Sequence, residues 1–248
     1  MAGDAFVVIG GSGDIGGEVV RRLSARGARV LVAGRDPKRL AAAARPHARG
    51  ATMVVDATSF EAVEECLRRG QELGEGRLAG VALCVGSILL KPAHTTSAEE
   101  WQQVIATNLT SAFAVVRAAA KTMRTGGSVV LCSSAAASVG LANHEAIAAV
   151  KAGIEGLVRA AAATSAGRGL RCNAVAPGLV RTRLSAAITG NARALAASER
   201  MHPLGRLGEA RDIAAAITWL LGPESGWVTG EILHVDGGLA QVRPVERA

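Results

Sequence analysis

The chain has 248 residues, a length at which a single α/β domain can bury a large core. Its net charge is +7, but the basic residues are scattered and aromatic residues are scarce, which argues against a nucleic-acid-binding protein. The sequence shows no apolar run long enough to cross a membrane and no signal-peptide pattern, so a cytoplasmic protein without a membrane partner is expected.

The first apolar run, residues 5–9, predicts a strand that is buried on both faces. A glycine-rich turn and an amphipathic helix follow it, which is the context of a dinucleotide-binding fingerprint. Glycine allows the tight turn and lets a pyrophosphate approach the N–H groups at the helix start. The predicted cofactor contacts in this turn are Gly10, Ser12, Gly13, Asp14, Ile15 and Gly16.

The end of the second predicted strand, residues 29–33, bears on the choice of cofactor. An acidic residue there would bind the ribose 2′-hydroxyl of NAD, whereas a basic residue would pair with a 2′-phosphate. The chain has Gly34 and Arg35, so NADP(H) is favoured over NAD(H), unless Arg35 is only a surface residue. Asp36, before Pro37, is interpreted as a helix N-cap. Asp56, after the third strand, is placed to contact the adenine, or else only caps the next helix.

Strands and helices alternate along the rest of the chain. A helix is predicted over 38–48, strands over 51–55, 80–85, 128–132 and 170–175, and long helices over 97–123 and about 143–166. This alternation predicts one α/β domain over 1–248, a Rossmann-like, doubly wound parallel sheet with helices on both faces. Residues 183–207 show little fixed pattern and are interpreted as a substrate lid.

The four cysteines, Cys66, Cys84, Cys132 and Cys172, show neither metal-binding nor redox-motif spacing. They are predicted to be small core residues in a reducing compartment, and no metal site is expected.

These segments resemble the short-chain dehydrogenase/reductase family along essentially the whole chain. The resemblance implies a seven-stranded sheet, a nicotinamide cofactor, a small-molecule substrate and a homodimer or homotetramer. It further implies that Ser134 holds the substrate oxygen, Asn108 anchors a water, Lys151 binds the nicotinamide ribose and Thr182 binds the carboxamide. Gly86, Pro177 and Gly178 would also contact the cofactor.

The sequence departs from the family pattern at three places. Asp14 stands where the family has a glycine, and of the family's Asn-Asn-Ala-Gly segment only Gly86 is kept. Ile147 stands at the position of the catalytic tyrosine, and the chain contains no tyrosine at all.

Carbonyl reduction needs a proton donor, and Ile147 cannot supply a proton. His144 lies seven residues before Lys151, so an unbroken helix would bring both to one face, and it is the first candidate donor. Glu145 or a water on Asn108 are alternatives. The predicted function is an NADP(H)-dependent oxidoreductase acting on a carbonyl, enone or alcohol. The alternative is a non-redox protein of the same fold, either a cofactor-binding regulator or a dehydratase- or cyclase-like enzyme.

Overall fold

The computed structural model describes residues 1–44 and 50–243. Its strands are β1 (Ala5–Ile9), β2 (Arg29–Gly34), β3 (Gly50–Val54), β4 (Gly80–Leu83), β5 (Gly127–Cys132), β6 (Leu170–Pro177), β7 (Val180–Arg181), β8 (Gly208–Glu209) and β9 (Ile232–Val235). Its α-helices are α1 (Asp14–Ala25), α2 (Pro37–Ala44), α3 (Phe60–Leu73), α4 (Ala98–Val104), α5 (Ser111–Thr122), α6 (Glu145–Ser165), α7 (Ala186–Thr189), α8 (Ala192–Met201) and α9 (Ala210–Leu221).

Seven strands form one parallel sheet in the order β3-β2-β1-β4-β5-β6-β9. The strand order reverses between β1 and β4, so a crevice opens there at the carboxyl ends of the strands. The predicted single-domain fold with a seven-stranded parallel sheet is therefore confirmed. The small pair β7-β8 lies outside this sheet.

The sheet is buried on both faces, which explains why its central strands are continuous apolar runs. One face packs against α3, α5 and α6 through a cluster that includes Val7, Leu67 and Ile154. The other face packs against α1 and α9 through residues such as Val8 and Ile217.

Two segments differ from the sequence-based expectation. The helix predicted over 97–123 is interrupted by a π-helical turn, Ile105–Thr110, which separates α4 from α5. The segment 183–207, expected to lack a fixed pattern, contains α7 and α8, and the Asn191 side chain caps α8 by accepting from the Ala194 N–H. Residues 45–48 of the helix predicted over 38–48 lie outside the described residues.

No helix in the described part of the chain is both long enough and apolar enough to cross a bilayer. Within the same residues, no group of three or more His, Cys, Asp or Glu side chains is arranged to hold a metal ion.

Candidate active site

A large outer cavity of about 930 Å³ opens at the carboxyl ends of β1, β2 and β3. The glycine-rich turn forms its inner wall. Gly13 is the N-cap of α1, and no side chain caps this helix. The N–H groups of its first turn therefore have no side-chain acceptor and are open to a ligand in the cavity. Gly16 is required by packing, because a Cβ there would lie 2.3 Å from the carbonyl oxygen of Gly10. The turn fits a pyrophosphate held by helix N–H groups. All six residues predicted from this turn line the cavity: Gly10, Ser12, Gly13, Asp14, Ile15 and Gly16.

Two arginines, Arg35 and Arg39, line the outer end of this cavity. Asp36 also lies there, but its Oδ1 accepts hydrogen bonds from the N–H groups of Lys38 (2.9 Å) and Arg39 (3.2 Å), as a capping residue does. The arginines present cationic groups suited to a phosphate. Arg39 was not predicted as a site residue, although it lies about one helical turn after the predicted Asp36 cap.

Asp56 lines the same cavity beyond β3. Its Oδ1 accepts from the N–H (2.9 Å) and the hydroxyl (2.8 Å) of Thr58. These bonds, with a smaller effect of the Arg35 charge, lower the pKa of the Asp56 carboxyl. The next helix is capped by Ser59 instead, whose side chain accepts from the Ala62 N–H. Asp56 therefore shapes the cavity wall and does not cap α3.

Asp14, the departure from the glycine pattern, is paired with Arg183 from the segment before α7. The Arg183 N–H donates to Asp14 Oδ2 at 2.7 Å, and its Nε donates to Oδ1 at 2.9 Å. The guanidinium also donates to the Ser12 carbonyl oxygen at 2.9 Å. The carboxylate next to the pyrophosphate position is thus accompanied by a cation, which offsets its repulsion of an anionic ligand. Arg183 was not predicted as a site residue from the sequence.

A smaller inner cavity of about 160 Å³ lies at the carboxyl ends of β4, β5 and β6. Ser134, Ile147 and Lys151 line it, so the structure brings together the serine, the lysine and the isoleucine that replaces tyrosine. Ile147 is only 5% exposed and packs with Val104 and Val150.

Lys151 is buried, and its Nζ donates to the carbonyl oxygen of Cys132 at 2.8 Å. Burial lowers the pKa of Lys151 to about 8, while the neighbouring Cys132 sulfur opposes this shift. The ammonium and neutral amine forms are therefore both accessible near neutral pH, which suits a group that exchanges a proton.

The serine pair at the end of β5 divides into two roles. Ser133 is buried and its hydroxyl donates to Glu155 Oε1 at 2.8 Å, so it ties β5 to α6. The Ser134 hydroxyl accepts from the Ala136 N–H at 3.2 Å, which leaves its proton available to a ligand in the cavity.

Asn108 is buried in the π-helical turn and faces the loop after β4. Its Nδ2 donates to Ser87 Oγ (2.9 Å) and to the Val104 carbonyl oxygen (3.0 Å), and its Oδ1 accepts from the Ser87 N–H (3.2 Å). Gly86 lies between Asn108 and Lys151, since a Cβ on it would be 3.1 Å from Asn108 Oδ1 and 3.5 Å from Lys151 Nζ. Asn108 thus holds the loop that forms one wall of the inner cavity. The bonds between Ser87 and Asn108 were not predicted from the sequence.

The turn after β6 forms the opposite wall of the inner cavity. Pro177 and Gly178 line the inner cavity, and Thr182 lines both cavities. Gly178 fits against buried His202, because a Cβ there would be 2.6 Å from the ring Nε2. That nitrogen accepts from the Leu179 N–H at 3.1 Å, so the histidine fixes this wall.

The structure does not bring His144 into the inner cavity with Ile147 and Lys151. Helix α6 begins at Glu145, and His144 is its N-cap residue with φ −107° and ψ 11°. The His144 Nδ1 is 2.8 Å from the Ala142 carbonyl oxygen, and the residue lines neither cavity described above. Its role as a proton donor stays a prediction.

The expectation that all four cysteines are core residues is correct for Cys66 and Cys172 but wrong for the other two. Cys66 and Cys172 are buried, which raises the pKa of each thiol to about 12. Cys84 and Cys132 are partly exposed and line the inner cavity. Both lie where adjacent strands end, a position that could have marked them as site residues.

Known proteins similar to this chain are reductases and dehydrogenases. A family model described as enoyl-(acyl carrier protein) reductase matches residues 11–240. The 3β-hydroxysteroid dehydrogenase 1 of Eggerthella lenta is 34% identical over 248 residues, with 96% of this chain and 94% of that protein covered. The 3-oxoacyl-[acyl-carrier-protein] reductase of Salmonella typhimurium is 32% identical over 248 residues, covering 97% and 98%.

Solved structures agree with these sequence matches. A short-chain type dehydrogenase/reductase from Mycobacterium ulcerans superposes with a TM-score of 0.93 at 31% identity, covering 98% of this chain and 92% of that one. An actinorhodin polyketide ketoreductase variant, solved with NADPH, gives a TM-score of 0.90 at 25% identity, covering 98% and 100%.

Proposed function

Because the chain belongs to the short-chain dehydrogenase/reductase family, we propose that it is an NADP(H)-dependent oxidoreductase whose proton donor is not a tyrosine. Its substrate is a small molecule with a carbonyl, an enone or an alcohol. The relatives named as reductases or dehydrogenases support this reaction class. On the same resemblance we also propose a homodimer or homotetramer, and we keep the cytoplasmic location expected from the sequence as a proposal.

One observation carries the proposal: Ser134 and Lys151 meet in a cavity that adjoins a phosphate cradle. When bound, the nicotinamide cofactor supplies or accepts a hydride. Gly13 and the start of α1 hold the pyrophosphate, and Arg35 with Arg39 pairs with the 2′-phosphate. Ser134 donates a hydrogen bond to the substrate oxygen.

Among the titratable side chains of the inner cavity, Lys151 is the best placed proton source. Its ammonium donates to the Cys132 carbonyl oxygen and adjoins the Gly86 wall. With a pKa of about 8, it loses a proton more readily than an exposed lysine. His144 remains the second candidate, and it requires the residues before α6 to rearrange.

The cofactor assignment is tested by titrating NADPH and NADH calorimetrically into the wild type and into Arg35→Ala, Arg39→Ala and Lys38→Ala variants. Removing either arginine should weaken NADPH binding by about tenfold, which is the range of one charge-assisted pair. The affinity for NADH should stay unchanged. Lys38 is the matched control because it lies between the two arginines without lining the cavity. Equal affinity for both cofactors in the wild type would contradict the NADP(H) assignment.

The reaction is tested by following NADPH oxidation with a panel of ketones and enones, including 3-oxoacyl thioesters. Turnover with one of them, lost in Ser134→Ala, is expected. The presence of Ile147 at the tyrosine position favours a second candidate function, which is non-redox. The protein would then be either a cofactor-binding regulator or a dehydratase- or cyclase-like enzyme. Tight NADPH binding without oxidation by any substrate would support that candidate instead.

A further inference from the structure

The ends of β4 and β5 place two thiols side by side. In the parallel register, Ala82 pairs with Val130, and two further residues along each strand bring Cys84 opposite Cys132. Both side chains pack toward the same face of the sheet, with Ala82 and Val130. Neighbouring strands are about 4.8 Å apart, a separation within the Cα range of about 4.4–6.8 Å that a disulfide spans.

Both cysteines are partly exposed and border the cavities of the site. Cys84 lines the outer and the inner cavity, and Cys132 lines the inner one. The other two cysteines, Cys66 of α3 and Cys172 of β6, are buried in the core, so they offer no access to a reagent.

The pair is chemically asymmetric. The neighbouring Cys84 thiol, together with the positive charge of Lys151, lowers the pKa of Cys132. The neighbouring Cys132 and burial raise the pKa of Cys84. Cys132 is therefore the more readily ionised sulfur of the pair, and we assign it the attacking role.

We propose that Cys84 and Cys132 form a peroxide-oxidisable thiol pair inside the cofactor site, and that bound cofactor shields it. The Cys132 thiolate attacks a peroxide oxygen and the O–O bond breaks. The leaving hydroxide takes up the proton that the thiol had released, so a sulfenic acid and one water result. The Cys84 sulfur then attacks Cys132 Sγ, the S–O bond breaks and a second water leaves. Two thiols and one hydrogen peroxide thus give one disulfide and two waters. This chemistry does not depend on the proposed oxidoreductase activity.

The test uses the full-length, reduced, cofactor-free protein and one equivalent of hydrogen peroxide. Two of the four thiols should disappear with a mass loss of about 2 Da, and dithiothreitol should restore them. Peptide mapping should join the peptide of Cys84 to that of Cys132. Added oxygen that remains on Cys132 alone, a cross-link between two chains, or no loss of thiols would each overturn the proposal.

Variants and cofactor give independent controls. Cys84→Ser and Cys132→Ser should both prevent the loss of two thiols, whereas Cys66→Ala should react like the wild type. Differential alkylation of the wild type gives the same answer if a variant fails to fold. Saturating NADP⁺, with binding verified by calorimetry, should slow oxidation severalfold, and an unchanged rate would contradict shielding. Failure of NADP⁺ to bind would count against the proposed function and leave the disulfide test intact.

Discussion

Replacing Ile147 by tyrosine tests whether only the proton donor is missing from an otherwise complete site. Ile147 borders the inner cavity that Ser134 and Lys151 also line, so a phenol there would enter the space proposed for the substrate oxygen. A positioned general acid contributes about 10²–10⁴-fold, or about 3–5 kcal/mol of barrier. Enlarging a buried side chain costs about 1–3 kcal/mol of stability, and the cavity of about 160 Å³ gives the ring space on one side.

The assay measures kcat for NADPH-dependent reduction of the best ketone in the panel, in wild type, Ile147→Tyr and Ile147→Phe. The phenylalanine variant adds the same ring without the hydroxyl, so it controls for packing. Ile147→Tyr should exceed Ile147→Phe by about 10²-fold or more. Equal kcat in the two variants, with folding and NADPH binding intact, would refute the view that Ser134 and Lys151 are already arranged for a tyrosine.

Three further predictions concern the pH profile, the anion cradle and packing. If the Lys151 ammonium donates the proton, kcat for reduction should fall as the pH rises through about 8, because the ammonium is lost there. An unchanged pH profile in the Lys151→Arg variant would exclude this role. Arg183→Ala should weaken NADPH binding by up to about fivefold, because the pair with Asp14 is half-exposed, and adding Asp14→Gly should reverse the loss in the same titration. Gly70→Ala should lower the free energy of unfolding by about 1–3 kcal/mol, since its Cβ would lie 2.3 Å from a valine methyl of β1. Gly156→Ala, which meets no atom within 4 Å, should instead raise it by about 0.5–1 kcal/mol in the same denaturant titration.

The features predicted correctly from the sequence are local or periodic. The cradle at Gly10–Gly16 follows from a strand, a glycine turn and a helix that are contiguous in the chain. Ser134 and Lys151 were expected in the site from the resemblance to the short-chain dehydrogenase/reductase family, which rests on their spacing from Ile147 along the chain. The structure brings these two into one cavity.

The features missed depend on contacts between distant parts of the chain. The ion pair of Asp14 with Arg183 joins residues 169 positions apart, so no local pattern indicates it. The pairing of Cys84 with Cys132 becomes visible only when β4 and β5 are placed side by side. His144, which was expected beside Lys151, lines neither cavity. Its ring Nδ1 lies 2.8 Å from the Ala142 carbonyl oxygen, a contact in the turn before α6 that helical spacing does not indicate.

The arginines at the mouth of the outer cavity have a consequence for the rate of cofactor capture. They belong to a chain with a net charge of +7, so a polyanionic dinucleotide is drawn toward the entrance before any contact forms. At physiological ionic strength this attraction reaches only about 8 Å. Added salt should therefore slow association more than it speeds dissociation, which close contacts at the glycine turn govern. A stopped-flow salt series would separate these two rates.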